Sequence, residues 1–121
     1  MHPGTLDPMT PRELATTYFD SWRAKDFDTF RSLLAEDATF RGPLGTADGA
    51  DELVAGIEGM SQITTGIEVE RMLADGPDVL TWFRLDTKVA DPTPVANWIH
   101  TEDGRITRVR VTFDPREIVG S

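Results

Sequence analysis

Apolar residues recur at two different spacings along the chain, and the spacing changes between Met60 and Ile67. As far as Met60 they recur every three or four positions, as on one face of a helix. From Ile67 onward they alternate with polar residues, as in a strand with one buried face. Helices followed by strands are typical of an α+β domain in which the helices pack on one face of a sheet.

The first two helices have clear start signals. Thr10, Pro11 and Glu13 form a capping box with proline at the first helical position, which predicts a helix from this point. Asp26 is a suitable N-cap for a second helix that follows almost at once and carries its inward residues as far as Leu34. These two helices form a hairpin whose apolar faces need cover from the rest of the chain.

The segment after the hairpin predicts a short strand, a loop and a third helix. Residues 37–40 have strand character, and residues 42–49 have turn chemistry throughout. Residues 51–60 place their apolar positions on one helical face. Gly56 and Gly59 each weaken that helix by about 1 kcal/mol relative to alanine, and we attribute them to close packing.

The second half of the chain predicts four strands separated by turn signals. The last three strands are expected to form an antiparallel meander. The predicted strands lie near 67–74, 79–88, 95–101 and 105–113.

Size and composition indicate one globular domain. The chain has 121 residues, of which 39% are hydrophobic and 27% are charged, so it can bury a single core. We expect a flexible N-terminal tail over residues 1–9 and one domain over residues 10–121.

Charge and residue types exclude several functions. The net charge of −9 disfavours nucleic acid as a partner. The chain lacks cysteine and has two histidines, of which only His100 lies within the predicted domain, so we expect no metal site and no cofactor. No apolar run is long enough to span a membrane and no signal peptide is evident, so we expect no membrane partner and a cytoplasmic location.

Several local strings, together with the order of elements, resemble the nuclear transport factor 2-like superfamily. This superfamily includes the SnoaL-like polyketide cyclases, ketosteroid isomerases, limonene epoxide hydrolases and scytalone dehydratases. The resemblance covers nearly the whole chain after Thr10. The strings are 18–22 (YFDSW), 25–28 (KDFD), 34–40 (LAEDATF), 104–107 (GRIT) and 113–114 (FD).

The resemblance implies a cone-shaped, curved antiparallel sheet with the three helices packed on its concave face. It also implies a deep apolar pocket between helices and sheet, and a homodimer formed through the outer face of the sheet. The function that it implies is binding of a small, largely apolar, oxygenated molecule, with isomerase, hydrolase or cyclase-type acid and base chemistry. The alternative is a non-catalytic ligand-binding or dimerisation domain on the same scaffold, because one fold hosts many functions.

The orientation of one strand decides which residues enter that pocket. Hydrophobicity alone buries Phe83 and Leu85, which leaves Arg84 and Asp86 as an exposed ion pair without a function. The limonene epoxide hydrolases, however, carry an Arg-x-Asp on the corresponding strand within the pocket, and Arg84-Leu85-Asp86 is similar to it. We therefore predict that Trp82, Arg84 and Asp86 face the pocket, with Asp86 as general base and Arg84 orienting it.

Two neutral hydrogen-bonding residues complete the predicted site. Asn97 is similar in position to the isomerase residue that donates to the substrate oxygen, and Tyr18 to the tyrosine that gives the second hydrogen bond. Each also has a purely structural interpretation, as a satisfied core amide and as a residue at the core edge. His100 has the opposite phase to Asn97, so we expect it to face outward.

The catalytic carboxylates of the related enzymes are incomplete here. Gly42 stands where the isomerases carry their base, and Val111 stands where the epoxide hydrolases carry their second aspartate. The remaining pocket wall is predicted to be apolar. Its predicted residues are Trp22, Phe40, Ile57, Met60, Trp82, Val95, Ile99, Val109, Val111 and Phe113.

Overall fold

The computed structural model describes residues 9–120, so the predicted tail lies outside the described residues apart from Met9. Four helices occur in this part of the chain, and none is long and apolar enough to cross a membrane. They are α1 (Pro11–Ala24), α2 (Phe27–Ser32), α3 (Ala50–Ser61) and α4 (Arg116–Val119).

The six strands of the described residues form a single curved sheet in the order β2-β1-β6-β5-β4-β3. The predicted α+β class and the meander are confirmed, and the meander extends back to include β3. One pairing departs from an antiparallel sheet, because β1 runs parallel to β6. The strands are β1 (Leu34–Gly42), β2 (Gly45–Asp48), β3 (Thr64–Asp75), β4 (Asp78–Thr87), β5 (Thr93–Glu102) and β6 (Arg105–Thr112).

Both helix start signals operate as predicted. The Thr10 hydroxyl accepts from the Glu13 backbone N–H at 3.1 Å, and the Glu13 carboxylate accepts from the Thr10 N–H at 2.8 Å. Lys25 ends α1 in the left-handed conformation, with φ of 57°. Asp26 then caps α2 by accepting from the Thr29 N–H at 3.2 Å.

The chain enters the sheet earlier than the helical spacing predicts. Leu33 caps the end of α2 and Leu34 already belongs to β1, although both side chains are buried. The Leu33 carbonyl accepts from the Ile106 N–H at 2.8 Å. This hydrogen bond to β6 replaces one that another helical turn would have made.

The predicted loop over 42–49 contains the short strand β2. Gly42 pairs with Gly45 across a two-residue turn, and β2 runs back along β1 as an edge strand. The sequence pattern does not predict a strand of this length, because the turn preferences of glycine, proline and threonine outweigh four residues of alternation.

The core lies between α1, α2, α3 and the inner face of the sheet. An aromatic cluster joins the layers, with the Phe19 and Phe83 rings 5.0 Å apart and the Tyr18 and Phe30 rings 4.9 Å apart. Gly56 and Gly59 do not pack closely against this core. A Cβ at either glycine would meet nothing within 4 Å, so our explanation by close packing is wrong.

The inner face of β4 carries Phe83 and Leu85, each 2% exposed. Their neighbours Trp82, Arg84 and Asp86 therefore point to the outer face, and Trp82 is 47% exposed. The prediction that these three residues face the pocket is wrong. The alternation of apolar and polar positions in β4 predicts its orientation correctly, whereas the resemblance to the epoxide hydrolase motif does not.

Candidate functional site

A cavity of about 230 Å³ lies between α1, α3 and the inner face of β1, β2, β4, β5 and β6. Its wall is almost entirely apolar. Nine of the residues that we predicted from the sequence lie in this wall. They are Tyr18, Trp22, Phe40, Ile57, Met60, Val95, Asn97, Val111 and Phe113.

Two further predicted pocket residues, Ile99 and Val109, belong to the core instead. Both are 0% exposed and stand opposite each other on β5 and β6. They face inward as predicted, but they lie beyond the cavity among other core side chains. The prediction that they line the pocket is therefore wrong.

Asn97 is the most unusual residue of the cavity wall. Its side chain is 1% exposed, yet neither its amide nitrogen nor its amide oxygen has a hydrogen-bond partner among the described residues. The Nε1 atom of Trp22, which also lines the cavity, is likewise buried without a partner there. Buried polar atoms without partners are rare in folded proteins, because each costs about 1 to 3 kcal/mol.

Tyr18 places a neutral hydroxyl beside this amide. Burial raises the pKa of the Tyr18 hydroxyl well above its ordinary value, and a weak interaction with the Asn97 side chain, too long to count as a full hydrogen bond, lowers it by a smaller amount. The hydroxyl therefore stays protonated at every physiological pH and acts as a hydrogen-bond donor.

The cavity mouth lies between the β1–β2 turn and α3. Pro43 and Leu44 form one side, and Glu52 and Gly56 form the other. Sequence reasoning missed these four residues, since a turn and a solvent-exposed helix face carry no apolar periodicity. The only usable signal was Gly56, whose missing side chain leaves open space at the mouth.

The cavity contains few titratable groups. Among the described residues that line it, only Tyr18 and Glu52 have ionisable side chains, and Glu52 is exposed at the mouth, where it accepts from the Asp48 N–H. The described residues also contain no cluster of three histidine, cysteine or acidic side chains suited to a metal ion. The interior thus offers hydrogen bonds but no internal base.

Phe40 occupies the space where a carboxylate on β1 would project. A Cβ built on Gly42 would lie 2.9 Å from the Phe40 ring. Such a contact is too close for a real side chain, so any larger residue at position 42 requires the ring to move. Gly42 therefore allows Phe40 to fold over the strand and extend the apolar wall.

The Arg84 and Asp86 pair forms part of an ion cluster on the outer face. Arg84 donates to both Asp86 oxygens at 3.0 and 3.1 Å, and it binds Glu68 of β3 at 2.8 Å. The two carboxylates, with Asp86 first, raise the pKa of Arg84. All three side chains are partly exposed, so this cluster is a surface interaction across the sheet with no role in the cavity.

His100 faces outward as predicted, and it has two acidic partners. Its Nδ1 lies 2.6 Å from Asp78 and its Nε2 lies 3.3 Å from Glu102. Asp78 also accepts from the Trp98 indole at 2.8 Å, and these hydrogen bonds, the one from His100 first, lower the pKa of Asp78. This group fixes the position of Trp98 on the outer face.

The whole architecture matches solved structures. An NTF2-like protein of unknown function from Cytophaga hutchinsonii is 25% identical, with a TM-score of 0.84, and the alignment covers 94% of this chain and 98% of that chain. A Kribbella flavida protein described as a candidate ketosteroid isomerase is 26% identical, with a TM-score of 0.75 and coverage of 89% and 80%. An LEH-like epoxide hydrolase from M. tuberculosis is 22% identical, with a TM-score of 0.75 and coverage of 91% and 86%, and this likeness concerns the fold alone.

Sequence comparison agrees with the fold. No functionally curated protein matches the chain. The SnoaL-like domain matches residues 15–109, which include α1 from its second turn, α2, α3 and the sheet as far as the middle of β6. The chain therefore belongs to the SnoaL-like domain family of the nuclear transport factor 2-like fold.

Proposed function

We propose that this protein binds a small, neutral, largely apolar molecule with at least one polar group in the cavity, and that it does so without acid and base catalysis. The observation that carries this proposal is the unpartnered amide of Asn97 in an otherwise apolar wall. A pocket lined by apolar side chains with a few convergent polar groups is the usual form of a small-molecule site.

The size and charge of the cavity support the same conclusion. An apolar cavity of about 150 Å³ binds benzene, so a volume of about 230 Å³ suits a ligand of two fused rings. A charged ligand would be buried without a counterion in the interior, which is costly. The absence of an internal carboxylate among the described lining residues favours binding over proton transfer between carbon atoms.

A thermal shift experiment with β-tetralone, a bicyclic ketone, tests this proposal. We expect the ketone to raise the melting temperature of the wild-type protein and to be recovered chemically unchanged. Leu53 lines the cavity, so the larger side chain of the variant Leu53→Trp fills part of it, and this variant should fold and lose the shift. No stabilisation of the wild-type protein by β-tetralone, by the hydrocarbon tetralin or by the lactam dihydroquinolinone would contradict the proposal, and conversion of the ketone would contradict its non-catalytic part.

We further propose that two copies of this chain associate through the outer face of the sheet. Three of the exposed large apolar residues lie on this face, Leu73 at 60%, Leu80 at 54% and Trp82 at 47%. The register places Leu73 opposite Leu80 and Leu80 opposite Trp98, which makes a continuous apolar row across β3, β4 and β5. Such a row is unusual on a monomer surface.

Charge at the two sides of this row favours a second copy as the partner. Arg110 and Arg41 stand directly opposite each other on β6 and β1, and burial followed by repulsion from Arg41 and Arg108 lowers the pKa of Arg110. Glu68 lies on β3 at the other side of the face. A two-fold axis through the apolar row and parallel to the strands brings the Arg110 side of one copy to the Glu68 side of the other, and each copy then buries the same apolar row.

The oligomeric state tests this second proposal. We expect light scattering to give twice the 13.4 kDa chain mass at micromolar concentration, and the variant Trp82→Glu to give the chain mass alone. The matched control is Val119→Glu, since Val119 is 66% exposed on α4, away from the apolar row. A monomeric wild-type protein, or a dimer that Trp82→Glu leaves intact, would contradict this interface.

The cytoplasm is the location that we propose for this activity. The chain has no cysteine, so its stability does not depend on an oxidising compartment. Cell fractionation of the native host tests this, with recovery in the soluble cytoplasmic fraction expected and recovery outside the cell as the contrary result.

A further inference from the structure

The side chain of Asn97 contains one hydrogen-bond donor and one acceptor, and both lack a partner among the described residues. Its Nδ2 is a donor without an acceptor, and its Oδ1 is an acceptor without a donor, among the described residues. A ligand with a carbonyl alone satisfies only the first of these atoms. A group that presents an acceptor and a donor side by side satisfies both at once.

Given the proposed binding function, on which this step rests, we propose that the cavity selects a neutral cyclic amide: a lactam or a ring with an equivalent –NH–C(=O)– edge. The ligand carbonyl accepts from Asn97 Nδ2 while the ligand N–H donates to Asn97 Oδ1. This two-point contact forms between planar groups, as when an asparagine side chain binds the edge of adenine.

The neighbouring donor strengthens the match on the carbonyl side. The Tyr18 hydroxyl lies beside Asn97 and remains protonated, because burial raises its pKa. A carbonyl oxygen has two lone pairs, so it can accept from Asn97 and Tyr18 together. Within the described lining residues, the cavity places no acidic or basic side chain in the interior that would favour an ionised ligand instead.

The cyclic amide also fits both orientations of the asparagine. Exchange of the amide oxygen and nitrogen of Asn97 reverses the donor and acceptor, and a ligand with adjacent donor and acceptor rotates to match. A ketone, an ether or an ester lacks the donor in either orientation. The selectivity therefore depends on the presence of the amide and not on which way it points.

The loss of hydration on binding decides whether the cavity prefers a lactam or a ketone. A lactam loses more hydration than a ketone when it enters an apolar cavity, so it binds better only where the site replaces both hydrogen bonds. A site built to hydrogen-bond a ligand group discriminates strongly against an analogue that lacks the group, because its own polar atoms then remain unpaired.

Three bicyclic probes of nearly equal shape test this inference by calorimetry: dihydroquinolinone, which is a lactam, β-tetralone, which is the matching ketone, and tetralin, which is the hydrocarbon. We expect wild-type protein to bind the lactam at least tenfold more tightly than the ketone. In Asn97→Leu the order should reverse, because the lactam N–H is then buried without an acceptor, while Tyr18 still donates to the carbonyl that lactam and ketone share.

Two further variants separate this role from a general effect on the fold. Tyr18→Phe should weaken lactam and ketone by the same factor, because the hydroxyl contacts the carbonyl that both share. Asp86→Asn, on the outer face, should change neither affinity.

The results distinguish failure of the ligand class from failure of the binding function. Equal affinity of wild-type protein for lactam and ketone, or a lactam preference that survives in Asn97→Leu, would overturn the cyclic amide and leave binding intact. Failure of all three probes to bind would overturn the binding function and with it this inference.

Discussion

The two faces of strands β4 and β5 hold polar groups in opposite situations. On the outer face, Arg84 has two carboxylate partners within 3.0 Å and is partly exposed to water. On the inner face, Asn97 has no partner among the described residues and is 1% exposed. Arg84 carries the charge, but Asn97 has the unmet hydrogen-bonding capacity.

This contrast shows that the chemical type of a side chain does not tell whether the fold satisfies its hydrogen bonds. Arginine and aspartate are common catalytic residues, so a sequence motif that contains them suggests an active site. Here Arg84 and Asp86 neutralise each other at the surface. An asparagine attracts little attention, yet its burial without partners is costly unless something else binds it. Unmet hydrogen bonds in a cavity therefore mark the candidate site better than ionisable side chains do.

The largest expected effect comes from the inner face of β4. Phe83 packs against the rings of Phe19 and Trp22, at 5.0 and 5.9 Å between centroids. We expect Phe83→Ala to lower the free energy of unfolding by about 3 to 5 kcal/mol, measured by urea denaturation. Arg84→Ala, one residue away, is the matched control, with an expected loss of less than about 1 kcal/mol. Equal losses in the two variants would contradict the assigned orientation of β4.

Replacing the unpartnered amide should have the next largest effect, in the opposite direction. We expect Asn97→Leu without ligand to raise the free energy of unfolding by about 1 to 3 kcal/mol, because it removes two buried polar atoms that lack partners. Thermal and urea denaturation of the ligand-free protein measure this. A marked loss of stability would mean that Asn97 is satisfied within the fold, and it would remove the main support for a polar ligand.

The outer ion cluster should contribute little to either stability or binding. We expect Asp86→Asn to change the free energy of unfolding by less than about 1 kcal/mol, because partly exposed ion pairs are screened by water. Binding of β-tetralone should be unchanged. Loss of β-tetralone binding in this variant would show that Asp86 belongs to the functional site, contrary to the account.

The smallest effect concerns acid stability at the outer face. His100 and Trp98 lower the pKa of Asp78 in the folded state, so this carboxylate stabilises the fold fully above its ordinary pKa. The contribution is lost as the pH falls through the lowered value. We therefore expect the difference in melting temperature between the wild-type protein and Asp78→Asn to shrink as the pH falls below about 4. A difference that is constant from neutral to acidic pH would contradict this coupling.

Much of the fold was predictable from periodicity and capping. Thr10 and Asp26 set the helix starts, and alternation along β4 correctly buries Phe83. The short strand β2 was not predicted, because Gly45 and its neighbours have stronger turn preferences than strand preferences. The same limit applies to the end of α2, where pairing of Leu33 with β6 overrides helical spacing.

The candidate site was only half predictable. Strand phase places Asn97 and Val111 on the inner face, and helical spacing places Tyr18 there. The motif formed by Arg84 and Asp86 predicted the wrong face of the sheet. Two matching residues determine neither which face of the strand is buried nor which side chains surround them. The missing partners of Asn97 depend on every side chain around the cavity, so only the three-dimensional packing reveals them.

The three tryptophans offer the most direct test, because the sequence contains three and they report on different faces. Trp22 lines the cavity, whereas Trp82 and Trp98 lie on the outer face. Fluorine NMR of protein labelled with 5-fluorotryptophan, assigned by single Trp→Phe variants, follows all three during a titration with dihydroquinolinone. The account predicts that the Trp22 resonance shifts to saturation while Trp82 and Trp98 stay in place. Shifts at Trp82 with Trp22 unmoved would locate the ligand on the outer face and contradict the cavity as the functional site.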